Sequence, residues 1–306
     1  MRRAVAAVAV VVLLPASTAY AADLDELLDE SREASYTAEQ VITCSTPDGV
    51  RDAVVELSQV GGEIHVGAPV DPDVEVASGY GGWTLVRDGA VVSSANVTGT
   101  EVVPEPRYTV DEGSPTEFIG READLYHLTG DGVLRAELVL DAEIGALLRV
   151  ATFTADGSVY CERRFIAFDP EPPEEFQPNV VPDVDSIGSS VESDLPDTLA
   201  GFTRLDAYED DQGFVFAYYS DGFFSFAVFQ TPTQVTLDEG SPVTITGRSY
   251  VRSFTPGQVS VAWETSKGGM AMVGDLPPDM HQAVLDGLPA PYDPGIFRRL
   301  WRSLFG

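Results

Sequence analysis

LRAELVLDAEIGALLRVATFTADGSVYCERRFIAF, residues 134–168, carries the pattern on which the fold turns. Its first segment alternates with period two. Leu134, Ala136, Leu138 and Leu140 share one side, Arg135 and Glu137 take the other, and Val139 is the single apolar exception. Such alternation belongs to a half-buried strand, because successive strand side chains point to opposite faces. AEIG and the pair Asp156-Gly157 then divide three extended runs, LRAELVLD, ALLRVATFT and SVYCERRFIAF. Asp-Gly between alternating runs is a hairpin signal, so the stretch predicts an antiparallel meander.

Working outward, residues 23–34, DLDELLDESREA, predict one short helix. Leu24, Leu27, Leu28 and Ala34 fall on one face, and acids cluster in the first turn, where they suit the helix dipole. Strands are expected at Tyr36–Cys44, Ala53–Val60, Glu63–Val66 and Trp83–Val86, broken by Gly61-Gly62 and Asp88-Gly89. Residues 169–196 are rich in Pro, acids and Ser without periodicity and read as an extended linker. Strand patterns resume at Phe202 with FTRLDAY, GFVFAYYS and FFSFAVFQ, and continue through VTITG, SYVRSF, QVSVAWET and MAMVG. A helix, PPDMHQAVLDGL, follows, with Pro277-Pro278 at its start and Gly287 near its end. The expected fold is mainly β (α+β), with two domains. The organisation is a signal peptide 1–21, a first domain 22–168, the linker 169–196, a second domain 197–290 with a smaller antiparallel sheet and one helix, and a tail 291–306.

Eighteen Lys+Arg stand against forty-nine Asp+Glu, for a formal net charge of −31. A surface so negative repels phosphate backbones and anionic lipid, which argues against nucleic-acid binding. Disordered chains combine high charge with low hydrophobicity, and 44% of these residues are hydrophobic. Depletion of lysine fits a salt-rich habitat or a GC-rich genome equally.

Arg2 and Arg3, the apolar run Ala4–Leu14, Pro15 and the small residues at Ala19-Tyr20-Ala21 form a secretory signal pattern. The run is short for a membrane anchor, and the protein is expected to be exported and soluble in the periplasm or cell envelope after cleavage. Two cysteines, Cys44 and Cys161, are present. Export favours one disulfide between them, with two buried thiols or a labile redox pair as alternatives. Together with His65, His127 and His281 they lack paired metal-ligand spacing, so neither a metal nor a cofactor is expected.

No G-x-S-x-G elbow, H-E-x-x-H, Walker A or G-x-G-x-x-G occurs in a strand-to-helix context. His65 alternates within a strand, His127 lies in LYHLTG between strands, and His281 lies on the short helix. Catalytic residues are therefore not assigned, and an enzyme is not expected. A glycosylation sequon at Asn96-Val97-Thr98 is uninformative. Phe214, Phe216 and Tyr218 are expected on one face of a strand, and Phe224 and Phe226 share a face of the next, chiefly as sheet core.

The last stretch reverses the charge trend. Phe297, Leu300, Trp301, Leu304 and Phe305 recur at helical spacing, with Arg298, Arg299 and Arg302 on the other side. This basic amphipathic tail either docks on the second domain's sheet or contacts a membrane surface or a partner.

The layout resembles the MucB/RseB family of exported sigma-factor regulatory proteins. LLDESREASYTAEQVI, with Ser35, Tyr36, Ala38 and Val41, is similar to that family's opening helix-to-strand step. Asp141, Gly145, Leu147, Asp156 and Gly157 carry its strand–turn–strand pattern. The Tyr219-Ser220-Asp221-Gly222 turn, Gly274 and Pro277 match in the second domain. The resemblance implies a curved antiparallel LolA/LolB-like open barrel with helix cover, closing around an apolar cavity. It further implies binding to the extracytoplasmic part of a single-pass anti-sigma factor, with an acyl chain or lipoprotein as ligand. A lipid or lipoprotein carrier is the alternative function. A hydrolase is a third class, for which no motif speaks.

Overall fold

The computed structural model describes residues 24–47, 49–61, 63–67, 74–79, 82–87, 90–96, 107–173, 189–190, 195–209, 213–233, 235, 237, 240–255 and 258–292, with backbone alone over 63–96. The signal segment 1–21, most of the stretch 174–194 and the tail 293–306 lie outside the described residues.

After helix α1 (Leu24–Glu33), an antiparallel meander runs through β1 (Tyr36–Thr46), β2 (Gly49–Val60), β3 (Glu63–Gly67), β4 (Val74–Gly79), β5 (Gly82–Arg87) and β6 (Ala90–Asn96). Strands β7 (Tyr108–Val110) and β8 (Ser114–Phe118) both pair with β9 (Arg121–Gly130). Strand β9 opens a second meander with β10 (Val133–Asp141), β11 (Leu147–Phe153) and β12 (Val159–Asp169). Pairing of β12 with β1 joins the two meanders into one sheet, ordered β6-β5-β4-β3-β2-β1-β12-β11-β10-β9-β7. Its end strands, β6 and β7, do not pair with each other, so among the described residues the sheet is open.

The second sheet contains β13 (Ser189–Ser190), β14 (Thr198–Leu199), β15 (Phe202–Glu209), β16 (Val215–Ser220) and β17 (Ser225–Thr231). It continues with β18 (Ser241–Ile245), β19 (Arg248–Thr255), β20 (Gln258–Glu264) and β21 (Gly269–Gly274). Its order is β13-β15-β16-β17-β21-β20-β19-β18, and β14 also pairs with β15. Helix α2 (Pro278–Gly287) follows, with Pro at its first turn. The protein is thus mainly β, with two antiparallel sheets and two described helices.

Local chemistry explains how α1 is held. The buried Gln59 side chain donates from Nε2 to the carbonyls of Ser31 (2.6 Å), Arg32 (3.0 Å) and Ala34 (3.0 Å), and its Oε1 accepts from the Tyr36 hydroxyl. These carbonyls belong to the last turn and exit of the helix, which would otherwise lack partners. Leu27 and Ala34 are buried. The Asp141–Gly145 turn braces the same helix. Asp141 accepts from the backbone N–H of Glu143 and Ile144 and binds Arg121, and Gly145 sits at φ +70°. A Cβ on Gly145 would lie 2.5 Å from Glu30 Cγ, so both conformation and helix proximity call for glycine.

The expected meander is present, with one correction. Pairing between β9 and β10 slips between Leu134 and Ala136, a β-bulge at Arg135. A bulge breaks strict alternation and re-aims a side chain. Arg135, expected on the solvent side, is 9% exposed and reaches Asp279 on α2. His127, expected between strands, lies within β9. The stretch read as linker also contributes structure: β12 runs to Asp169, Ser189–Ser190 pairs with β15, and Leu195 is buried in the core.

The second sheet uses its aromatic residues on both faces, as the alternation requires. Tyr219 and Phe226 stack at 5.0 Å and join Phe202 and Phe224 in the main core, which also holds Leu276, Met280, Val284 and Leu285 from α2 and its approach. Phe214, Phe216, Tyr218 and Phe229 form a separate cluster, with Phe216 and Phe229 5.3 Å apart. The main core is continuous from Leu128, Ala136, Leu138 and Leu140 of the first sheet to Phe224, Met272 and Val284 of the second unit.

Candidate functional site

Where that shared core reaches the surface, a polar seam joins the two sheets. Strand β7 begins the seam. The Tyr108 hydroxyl donates to Asp221 Oδ2 at 2.5 Å, and the preceding Arg107 lies 3.7 Å from the same carboxylate. Arg107 also donates to the Ala200 carbonyl (3.3 Å) and lies 5.9 Å from the Phe202 ring centre. The turn at Gly201 must come close for this: a Cβ there would stand 2.6 Å from the Arg107 guanidinium.

Asp221 belongs to the Tyr219-Ser220-Asp221-Gly222 turn between β16 and β17. Its other oxygen accepts from the N–H groups of Phe223 and Phe224, which closes the turn and aims the carboxylate at Tyr108. Burial pushes the Asp221 carboxyl above its ordinary range, and the hydrogen bonds from Tyr108 and the two backbone N–H groups only partly oppose that. Burial, then the neighbouring Asp221, raises Tyr108 far above a free phenol.

Two ion pairs extend the seam. Arg135, on the bulge, donates to Asp279 at 2.8 Å, and Arg163 of β12 pairs with Asp275. In all three links the first sheet supplies the donor (Tyr108, Arg135, Arg163) and the second unit the carboxylate (Asp221, Asp279, Asp275). Partly buried pairs of this kind fix orientation more than they add stability, because desolvation offsets much of the attraction.

Beside Arg163 and Asp275 lies an open cleft of about 370 Å³. Leu147, Val150 and Thr152 wall it from the first sheet, and Tyr218, Phe223, Phe226 and Val273 wall it from the second. The Thr152 hydroxyl donates to the Cys161 carbonyl. Apolar walls with one cation–carboxylate pair at the edge suit an apolar or amphiphilic ligand rather than bond-breaking chemistry. No group of three or more His, Cys, Asp or Glu side chains among the described residues could hold a metal ion.

The residues singled out from sequence are dispersed. Cys44 and Cys161 are opposite each other on β1 and β12 and form a disulfide buried in the main core. His127 binds Asp111 through Nδ1 (2.6 Å) on an exposed sheet surface. His281 is buried on α2, its Nε2 without a hydrogen-bond partner among the described residues, and burial followed by the nearby Arg252 charge lowers its pKa to about 4. The side chain of His65 and the tail residues Phe297, Arg298, Arg299, Leu300, Trp301, Arg302, Leu304 and Phe305 lie outside the described residues. Sequence reasoning flagged Asp221 only as a turn and missed Arg107, Tyr108, Arg163, Asp275 and Asp279. Their pairings span 93 to 144 residues, so no local spacing announces them.

No protein-family model matches the chain, and no curated protein matches it either. Solved structures do resemble it. The MucA/MucB complex of Pseudomonas aeruginosa is 17% identical with a TM-score of 0.48, over 89% of this chain and 100% of that one. A structure of MucB alone is 18% identical with a TM-score of 0.48, over 85% and 94%. A LolA superfamily protein from Nitrosomonas europaea is 10% identical with a TM-score of 0.22, over 84% and 94%.

Proposed function

We propose that this protein is an exported, non-enzymatic regulator that binds the extracytoplasmic segment of a single-pass anti-sigma factor and responds to an acyl-chain or lipoprotein ligand. The observation that carries this reading is the seam. Two units share one core, three donor–carboxylate links hold them, and an apolar cleft opens between them at the Arg163–Asp275 pair. A ligand in that cleft contacts both units at once, so its binding energy depends on their arrangement. Only such differential affinity can shift a two-state equilibrium.

Sequence motifs support the same reading. The residues that gave the resemblance to MucB/RseB proteins are structurally placed: Asp141 and Gly145 brace α1, and Asp221 latches the seam. The MucB structures include complexes with MucA, described for one of them as its periplasmic part, and this is the kind of partner proposed for the present chain. The signal pattern and the disulfide accord with work outside the cytoplasm.

Affinity purification of the tagged protein from solubilised membranes tests the partner. Recovery of one single-pass membrane protein, reduced when Tyr108→Phe loosens the seam, is expected. Recovery of none removes the regulator reading. Native mass spectrometry then separates sensing from carriage: an acyl ligand on the isolated protein that is handed to acceptor vesicles, with no anti-sigma partner, establishes the carrier instead.

A further inference from the structure

We propose that Asp221 is a proton-operated clasp between the two units: protonation of its carboxyl tightens the seam and holds the Phe223–Phe224 wall of the cleft against the first sheet, and ionisation slackens both.

The surroundings of this carboxylate differ from those of the other two in the seam. Asp275 and Asp279 are bound by the guanidinium groups of Arg163 and Arg135. Asp221 is bound across the seam by a neutral phenol, and its side chain is 0% exposed. Arg107, the cation beside it, stands at 3.7 Å, beyond hydrogen-bond reach, and shares its charge with Asp131 at 3.1 Å. Arg135 acts on Tyr108 from the bulge but is engaged with Asp279. From its own turn, Asp221 receives only the N–H groups of Phe223 and Phe224. A negative charge buried among neutral donors is costly, and taking up a proton removes that cost.

The sign of the pH effect follows. When the seam opens, the carboxyl meets water and regains its ordinary proton affinity. When the seam closes, burial raises that affinity, and the bonds from Tyr108 and the turn amides and the Arg107 charge only partly oppose the rise. The closed arrangement binds the proton more tightly, so the proton favours closure. This contribution is complete below the ordinary carboxylate range and is lost as pH climbs through the raised value of the closed form.

The same turn builds the cleft. Asp221 Oδ1 holds the amides of Phe223 and Phe224, and the Tyr108 ring meets both phenylalanine rings edge-on, with centroids 6.1 and 6.2 Å away. Both phenylalanines line the cleft opposite Leu147 and Val150 of the first sheet. Slackening at Asp221 therefore loosens one apolar wall relative to the other.

The clasp rests on the seam invoked in the proposed function but needs neither partner nor ligand. Its failure leaves the partner test standing, and failure to recover a partner leaves the clasp standing. Hydrogen–deuterium exchange of the full chain, corrected for the intrinsic pH dependence of exchange, reads it at about pH 8 and about pH 5. Peptides covering residues 107–111 and 219–226 are expected to exchange about threefold or more slowly at the lower pH, while those of β1 and β2 stay unchanged. Asp221→Asn carries a neutral amide in place of the protonated carboxyl. It should show the slow exchange at both pH values. Faster exchange on acidification, no change, or the same change in Asp221→Asn overturns the clasp. Tyr108→Phe gives a second measurement should the Asn chain fail to fold. Loss of a donor to the ionised form should move the midpoint of the exchange change to higher pH, and an unmoved or lowered midpoint overturns the clasp as well.

Discussion

The phenolic oxygen of Tyr108 and a carboxylate oxygen of Asp221 are 2.5 Å apart, across 113 residues of chain. One comes from a three-residue strand at the end of the first sheet, the other from a turn in the second. Removing only the hydroxyl, in Tyr108→Phe, leaves the ring packed near Phe223 and Phe224 and a buried carboxylate short of one donor. The expected cost is about 1–3 kcal/mol of stability, the usual penalty for an unsatisfied buried group. Chemical denaturation checks this, and a change below about 0.5 kcal/mol would show that Arg107 and the turn amides suffice.

Gln59 does for α1 what Asp221 does for the seam. Gln59→Leu keeps most of the volume and removes every hydrogen bond to Ser31, Arg32 and Ala34. Stability should fall by about 2 kcal/mol, and proteolysis should cut first within Leu24–Ala34. Mass analysis of early proteolytic fragments reads the site directly.

Buried His281 makes stability depend on pH. Its folded pKa of about 4 lies below the ordinary histidine value, so the unfolded chain binds the proton more readily. Stability from this residue is therefore complete above about pH 6.5 and declines as pH falls toward 4. The loss is on the order of 3 kcal/mol. Denaturation at pH 7 and pH 4.5 should show a smaller acid loss for His281→Leu than for the unaltered chain. Equal losses in both would assign the effect to other groups. Asp141 acts in a lower range: its own burial raises it, but Arg121 and two backbone N–H groups outweigh that, so its stabilisation is lost only below the ordinary carboxylate range.

The Cys44–Cys161 link closes a loop across 117 residues. Replacing both with Ala should cost up to about 4–5 kcal/mol in the chain-entropy view. Reduced and oxidised forms compared by thermal melting test this, with a lower Tm expected on reduction.

The meander at 134–168 was legible because its strands are local and half-buried, and because Asp141, Gly145, Asp156 and Gly157 mark the turns. Two deviations escaped for physical reasons. The bulge at Arg135 depends on what Thr129 and Leu128 present opposite, and a strand's own alternation carries no trace of that. Strands β4, β6, β7, β8 and β9 were missed because polar residues and glycine interrupt VEVASG and AVVSSAN, YTV and SPTEF are too short for periodicity to register, and charged residues and His127 break the alternation of READLYHLTG. The aromatic alternation of β16 and β17 was readable, down to which rings share a face. The seam was not, since each of its pairs joins residues that only the packing of two sheets brings together.

The pairing of β1 with β12 has a consequence for how the protein withstands proteolysis. Because Cys44 and Cys161 are bonded across those neighbouring strands, everything between them is a covalent ring. A protease that severs one exposed loop inside the ring opens it without releasing a piece, and the cut ends stay tethered to a sheet still paired on both sides. Shedding a fragment takes two cuts or a reductant. The first sheet can thus be nicked and remain whole in mass, a form of endurance that a chain without the bridge would lack.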